Sequence, residues 1–317
     1  MFENIKKILD ESNLIYIVGH KNPDGDFIGS TYALCLALKK YGKEVKIIMP
    51  SFSDSFNFLP NINIAVSNVL EEKYDLLFAL DCSNPERLAI SDEDIKKANK
   101  IVMLDHHEIS APFGDARYID STRPAAAEIV YNFIEYLNID IDKDIATYIY
   151  TGLMTDTGSF NYESTKPSTL MIASKLLEKQ IDFAYICKKL NDTVKESKLK
   201  LLAKTIDNME VYYDGKLRYS FVDYNTIKSF GLDDEDAEGM TNYLRKVEGT
   251  EVAVYVRGRK DNTAKVSLRS GGNIDVSKIA IKFGGGGHKR AAGYTMIGDI
   301  KEQKDNLIDL VGVMLKW

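Results

Sequence analysis

The sequence predicts an α/β protein in two domains: an N-terminal parallel sheet with helices on both faces, then a helical linker and a smaller α+β domain. Three observations predict it. Apolar runs alternate with helical patterns in the first half, at LIYIVG (14–19), EVKIIM (44–49), YDLLFAL (74–80) and KIVML (100–104). Such continuous runs mark strands of a parallel sheet covered on both faces. The stretch from 166 to 209 is helical and largely strand-free, and beyond it the pattern changes to paired strands with turn signals. The length of 317 residues fits two domains, with boundaries read as 1–190, 191–208 for the linker helix, and 209–317.

Each element has its own signal. MFENIKKILDESN reads as a short amphipathic helix and lacks the apolar core and cleavage site of a signal peptide. A helix over 27–41 follows the first strand. Helices over 125–137 and 144–154 follow the last strand of the first half, with Asp142 or Asp144 as a cap. TVKESKLKLLAKTIDNM reads as one long charged helix and a candidate connector. MEVYYDGKLRYSFVD has the strand, Asp-Gly, strand character of a hairpin. EVAVYVRGR and AKVSLRS form a second pair around a KDN turn, and a closing helix begins near Gly298.

Composition narrows the function. Hydrophobic content of 44% and charged content of 28% describe an ordinary globular protein. No apolar run approaches the roughly 20 residues of a membrane span. Cys35, Cys82 and Cys187 are few, odd in number and far apart. They argue for a reducing cytoplasm and against a disulfide frame or a Cys-rich zinc site. A net charge of −6 argues against sequence-independent binding of long duplex DNA. Between Arg245 and Arg290, however, eleven Lys or Arg stand against four Asp or Glu. That asymmetry suggests either an anionic ligand held there or a solvated basic face.

The histidines concentrate the chemistry. His20 opens HKNPDGD, His106 and His107 follow Asp105, and His288 follows four glycines. Three predicted strands end at such residues: LIYIVG at His20, YDLLFAL at Asp81, and KIVML at Asp105-His106-His107. Ligands of open α/β sheets bind beyond the carboxyl ends of strands, so these residues are expected to converge. Pro23 and Gly25 make an irregular loop from which His20, Asp24 and Asp26 reach toward cations; Asp26 also reads as a helix N-cap. Adjacent histidines in extended chain point to opposite sides, one toward metal and one toward substrate, with Asp105 orienting one of them. Asp156, in YTGLMTDTGSF, ends an apolar helix, as a metal-bound carboxylate or as a cap of the next turn.

Together His20, Asp24, Asp26, Asp81, His106 and Asp156 supply two imidazoles and four carboxylates, with Asp81 free to bridge. Four unpaired carboxylates in one pocket repel, and two divalent cations remove that cost. The mixed nitrogen and oxygen donors favour Mn²⁺ over Mg²⁺, with zinc or iron also compatible. SLRS (267–270) with FGGGGHKRAAG (283–293) supplies a guanidinium fork at Arg269 and glycines that let backbone N–H groups approach a phosphate.

HKNPDGDFIGS, Asp81, DHH and TDTGSF resemble, in order, the four motifs of the DHH phosphoesterase superfamily. KVSLRS with GGGGHKRAAG resembles its DHHA1 domain. The likeness covers nearly the whole chain and is strongest to stand-alone, NrnA-type oligoribonucleases that also dephosphorylate 3′-phosphoadenosine 5′-phosphate (pAp). It implies two Mn²⁺ ions: His20, Asp24 and Asp81 for one, and Asp26, Asp81, His106 and Asp156 for the other. It implies catalytic roles for His107, Asp81 and Asp105, with His107 on the scissile phosphate. It further implies substrate contacts from Ser267, Arg269, Gly285, Gly286, Gly287 and His288. After DHH the family commonly carries an Asn and later a small hydroxyl-rich turn; here EISAPFGD and STRPAAAEIVY stand there, with Ala125 and Ala126 in the turn.

The expected activity is a Mn²⁺-dependent phosphodiesterase or exonuclease that degrades very short oligonucleotides, linear dinucleotides such as pApA and pAp in the cytoplasm. Its expected partners are those nucleotides, with no membrane, and a homodimer is compatible with the likeness. The alternatives are a cyclic dinucleotide phosphodiesterase, a pyrophosphatase-like hydrolase, and a nucleotide- or RNA-binding module without catalysis.

Overall fold

The computed structural model describes residues 2–82, 84–107, 113–234 and 236–317. The first five residues of EISAPFGD therefore lie outside the described residues. Contacts divide the chain into two units, Met1–Thr193 and Val194–Trp317.

The first unit runs α1 (Glu3–Glu11), β1 (Leu14–Val18), α2 (Gly25–Lys40), β2 (Glu44–Ile47), β3 (Tyr74–Leu80), α3 (Asp92–Ile95), β4 (Ala98–Asp105), β5 (Ala116–Ile119), α4 (Ala126–Tyr136), α5 (Lys143–Asp156), α6 (Pro167–Glu178) and α7 (Phe183–Cys187). Its described strands form a parallel sheet in the order β2-β1-β3-β4-β5. Strand residues alternate between two cores, as the pleat requires. Ile15, Ile17, Leu76, Phe78, Leu80, Val102 and Leu104 pack with apolar residues of α1, α2, α4 and α5. Tyr16, Val18, Leu77 and Ala79 face the other side, against Val69, Leu88 and Ile95 of the one-turn helix α3. Both faces being buried explains why the strands read as unbroken apolar runs.

Helices α2 and α5 pack with their backbones close together. A Cβ added at Gly29 of α2 would lie 2.5 Å from the carbonyl oxygen of Tyr148 and 2.8 Å from the nitrogen of Gly152. Three residues on from Gly29, Tyr32 stacks on Tyr148 with ring centroids 4.9 Å apart. This contact matters for the site, because α2 starts at the Asp24–Asp26 loop and α5 ends at Asp156.

The second unit runs α8 (Glu196–Asp207), β6 (Glu210–Tyr212), β7 (Leu217–Val222), α9 (Tyr224–Ser229), α10 (Met240–Arg245), β8 (Val252–Gly258), β9 (Ala264–Ser270), α11 (Val276–Lys282), β10 (Gly286–His288), β11 (Ala291–Met296) and α12 (Ile300–Leu315). The sheet order is β10-β11-β9-β8-β7-β6, antiparallel except for the parallel pair β7 and β8. One face packs against α11 and α12 through Val254, Val266, Leu268, Ile279, Leu307 and Val311. On the other face α8, α9 and α10 pack through Leu201, Ile227, Leu244, Ala253 and Tyr255. Among the described residues, no helix is long and apolar enough to cross a membrane.

Two segments take forms that the sequence pattern does not specify. The glycine run enters the sheet as β10, paired with β11 from Gly286–Gly293 to His288–Ala291. Glycine has low strand propensity, but here it lets backbones meet: a Cβ at Gly285 would lie 2.3 Å from the carbonyl oxygen of Gly293. The β6–β7 hairpin turns on Tyr213 and Asp214, both at positive φ (55° and 49°), with Gly215 following at 86°. The Asp-Gly pair therefore sits one residue later in the turn than the sequence signal suggests.

The α2–α5 contact yields a prediction. Gly29→Ala is expected to destabilise the first unit by about 1–3 kcal/mol through overpacking against the α5 backbone, measured by denaturant unfolding.

Candidate metal centre

Strands β1, β3 and β4 lie side by side. The chain leaves β1 toward β2 on one side and returns through β3 on the other, so a crevice opens at their carboxyl ends. Into it project His20 after β1, Asp81 after β3 and His106 after β4.

Asp81 holds the centre. It is 2% exposed and adopts a left-handed φ of 50°, which costs a non-glycine residue about 1–2 kcal/mol. Its N–H donates to the carbonyl of Leu104 at 3.1 Å. One carboxylate oxygen then lies 3.4 Å from His20 Nε2 and the other 3.3 Å from His106 Nε2.

The loop before α2 adds two carboxylates with different surroundings. Asp24, not Asp26, is the N-cap: its Oδ1 accepts from the N–H of Phe27 at 3.0 Å, while Oδ2 lies 3.8 Å from His20 Nε2. Asp26 occupies the first turn and is fully buried. Its two oxygens accept from the N–H groups of Ala126 (2.6 Å) and Ala127 (2.9 Å), at the start of α4. Unpaired amides at a helix N-terminus suit an anion. Asp26 Oδ2 lies 3.7 Å from His106 Nε2, and Asp156, the last residue of α5, places an oxygen 3.3 Å from the same nitrogen.

His106 is oriented from behind. Its Nδ1 lies 3.3 Å from the carbonyl of Arg123, so a proton there leaves the Nε2 lone pair facing the carboxylates. Arg123 is held by Glu128, a fully buried carboxylate. Glu128 accepts from Arg123 Nη1 at 2.6 Å, from Ser168 at 3.1 Å and from Thr169 at 2.6 Å. His107 does not point away from His106. The ring centroids are 4.5 Å apart, and both rings approach Asp81. β4 ends at Asp105, so strand alternation does not reach the two histidines. Asp105 Oδ1 accepts the backbone N–H groups of His106 (2.8 Å) and His107 (3.1 Å), and sits 2.9 Å from His107 Nδ1.

These residues fit divalent cations. His106 Nε2 and Asp81 Oδ1 are buried and make no hydrogen bond, although they lie 3.3 Å apart. Donors each about 2.0–2.2 Å from one cation stand about 3.0–3.5 Å from each other. Three groups have donor atoms within 4.8 Å of one another: His20, Asp24 and Asp81; Asp26, His106 and Asp156; and Asp81, His106 and His107. Electrostatics agree. Burial, then Asp81 and Asp156, raise the pKa of Asp26. Burial, then Asp81 and Asp24, push Asp156 up to about 7 against the opposing pull of His106. Burial disfavours charge on both histidines, yet the carboxylates prevail and raise His20 to about 9 and His106 to about 10. Protons are thus the alternative to cations in relieving the crowded charge.

The register of the second unit assembles another face. Arg269 pairs with Ala291, and Ala291 with His288; Ser267 pairs with Gly293, and Gly293 with Gly286. Directly paired residues share a face. Arg269, Ser267, His288 and Gly286 therefore flank the small residues Ala291 and Gly293 on one face of the β9–β11–β10 segment. Gly285 and Gly287 shape the hairpin: a Cβ at Gly287, whose φ is 140°, would lie 2.5 Å from the carbonyl oxygen of Ala291.

Residues 14–153 match the DHH family N-terminal domain, and residues 214–316 match the DHHA1 domain. A Thermus thermophilus protein called bifunctional oligoribonuclease and PAP phosphatase NrnA is 32% identical over 310 residues, covering 94% of this chain and 89% of that protein. The chain belongs to the DHH phosphoesterase family. It is thereby a hydrolase of phosphodiester bonds. A Streptococcus mutans probable NrnA is 27% identical over 316 residues, covering 97% of this chain and 99% of that protein. The crystal structure of an exopolyphosphatase-related protein from Bacteroides fragilis superposes with a TM-score of 0.92 at 28% identity, covering 100% of this chain and 97% of the other.

Within this DHH fold, sequence reasoning missed the backbone contributions. Ala126, Ala127 and Arg123 act through N–H and C=O groups that side-chain chemistry does not advertise. The signal that could have found them is Glu128, a carboxylate inside an apolar helix. Glu128→Gln keeps the volume but weakens the hold on Arg123, and should loosen the binding of an added divalent cation, with Mn²⁺ as the probe, about tenfold. Manganese titration followed by electron paramagnetic resonance measures this, with far-ultraviolet circular dichroism unchanged.

Proposed function

We propose that this protein is a Mn²⁺-dependent phosphodiesterase that degrades very short oligonucleotides, including linear dinucleotides, to mononucleotides and removes the 3′-phosphate of pAp. One observation carries the reading: two histidines, one buried and one largely so, and four aspartates from separate strand and helix ends converge with unpaired polar atoms facing one another. The oligoribonuclease and PAP phosphatase names of full-length relatives support the substrate class. The three cysteines are free thiols, in keeping with a cytoplasmic enzyme.

His20, Asp24 and Asp81 would hold one cation, and Asp26, Asp81, His106 and Asp156 the other. When bound, such a pair lowers the pKa of water and neutralises charge on phosphoryl oxygens. Asp81 presents one oxygen to each side, so it fixes the two sites relative to each other. Asp105 fixes the His107 ring through Nδ1, which leaves Nε2 to donate to a phosphoryl or leaving oxygen. His107 is 33% exposed against 13% for His106, as a substrate contact requires. On the second unit, the Arg269 guanidinium, the Ser267 hydroxyl and His288 serve as donors to a nucleotide phosphate.

A substrate panel tests the reading. Protein supplied with Mn²⁺ should release AMP from pApA and phosphate from pAp, and Asp81→Asn should reduce both to background. Arg269→Ala should raise KM for pApA roughly tenfold, the loss of one charge-assisted hydrogen-bond set. Turnover of inorganic pyrophosphate with none of either nucleotide would replace this function with a pyrophosphatase.

A further inference from the structure

A second cleft of about 390 Å³ lies in the first unit, beside the metal centre. It borders that centre through Thr155. Thr155 lines the cleft, precedes Asp156, and packs its side chain on Gly25, between Asp24 and Asp26; a Cβ at Gly25 would lie 2.3 Å from Thr155 Cγ2. Asp24 and Asp156 are the most exposed carboxylates of the cluster, at 55% and 30%. The cleft thus adjoins the solvent-open side of the cation site.

Its lining differs in kind from the cluster. Phe56, Tyr162 and Leu190 supply apolar walls, and Ser55, Ser159 and Asn191 supply neutral polar groups. Among the described residues, no charged side chain lines it. A neutral wall beside a strongly charged centre suits neither phosphate nor polyphosphate, because an anion there would lose hydration without a cationic partner. It suits an uncharged group with aromatic faces and a few hydrogen-bonding edges.

Tyr162 is placed to meet such a group. Its ring is 57% exposed and rests on the backbone of Gly158, where a Cβ would lie 2.4 Å from the ring carbon Cζ. Gly158, Ser159 and Phe160 all have positive φ, between 56° and 63°, so the chain turns sharply after Asp156 and presents this rim. Asn191 donates to Ser159 Oγ at 2.9 Å, which fixes its amide and leaves the Asn191 oxygen as an acceptor.

We propose that this cleft is a nucleoside subsite: it receives the base and sugar attached to the phosphate under attack, with the base stacked on Tyr162. The assignment rests on the phosphodiesterase reading and adds to it. It gives the first unit its own means of preferring nucleotides to inorganic phosphate esters.

The test compares wild type, Tyr162→Ala and Tyr162→Phe, each with Mn²⁺, on pApA and on a dinucleotide whose bases are both replaced by hydrogen. Loss of one stacking partner should raise KM for pApA about tenfold in Tyr162→Ala, with kcat within twofold, while Tyr162→Phe retains the wild-type KM. On the abasic substrate all three should share one KM. A dinucleotide of 2-aminopurine should lose fluorescence on binding wild type and Tyr162→Phe, and much less on Tyr162→Ala. Equal KM values for pApA in wild type and Tyr162→Ala, or an equal loss on the abasic substrate, would overturn the subsite and leave the phosphodiesterase reading intact. Absence of nucleotide turnover by wild type would instead remove the reading beneath it.

Discussion

The Asp81 carboxylate governs this structure. It is buried at the end of a central strand, in a left-handed backbone conformation, with an imidazole nitrogen facing each oxygen. Three further carboxylates stand close by. Such a group is stable only if its charge is matched, by protons or by cations. The surrounding architecture follows from that need. The parallel sheet delivers His20, Asp81 and His106 at neighbouring strand ends, and the close α2–α5 packing brings the Asp24–Asp26 loop to Asp156.

Much of the support is backbone. The first two residues of α4 lend their N–H groups to Asp26, and the carbonyl of Arg123 orients His106. The alanines at this turn are therefore compatible with a working site, because the helix terminus holds Asp26 without any hydroxyl. Glu128 secures the same turn from beneath. Charge in the first unit is thus arranged in layers: the candidate cation ligands inside, their orienting partners around them, and an uncharged cleft to one side. In the second unit, by contrast, the proposed recognition rests on a sheet face where Arg269 and His288 flank the small residue Ala291.

The sequence discloses where the strand-end His and Asp residues converge, because β1, β3 and β4 are unbroken apolar runs that stop at His20, Asp81 and Asp105-His106-His107. It discloses the order of elements because burial on both faces leaves a clear pattern. It conceals whatever depends on backbone geometry. Asp26 reads as a cap, and only the structure shows that Asp24 caps the helix while Asp26 is buried in its first turn. His106 and His107 read as an alternating pair, but the strand ends one residue earlier. The glycine run has no strand signature, since its pairing depends on missing side chains and not on favourable ones. The cleft at Ser55, Ser159, Tyr162 and Asn191 is assembled from segments more than a hundred residues apart in part, with no local motif to announce it.

The central claim is that cations bridged by Asp81 relieve the crowded charge at the strand ends. Elemental analysis of protein equilibrated with Mn²⁺ and then freed of excess ion tests it most directly, for wild type and Asp81→Asn. The account predicts two manganese ions per wild-type chain and at most one, weakly held, in Asp81→Asn. A wild-type chain that retains none, or an Asp81→Asn chain that retains both, would contradict it.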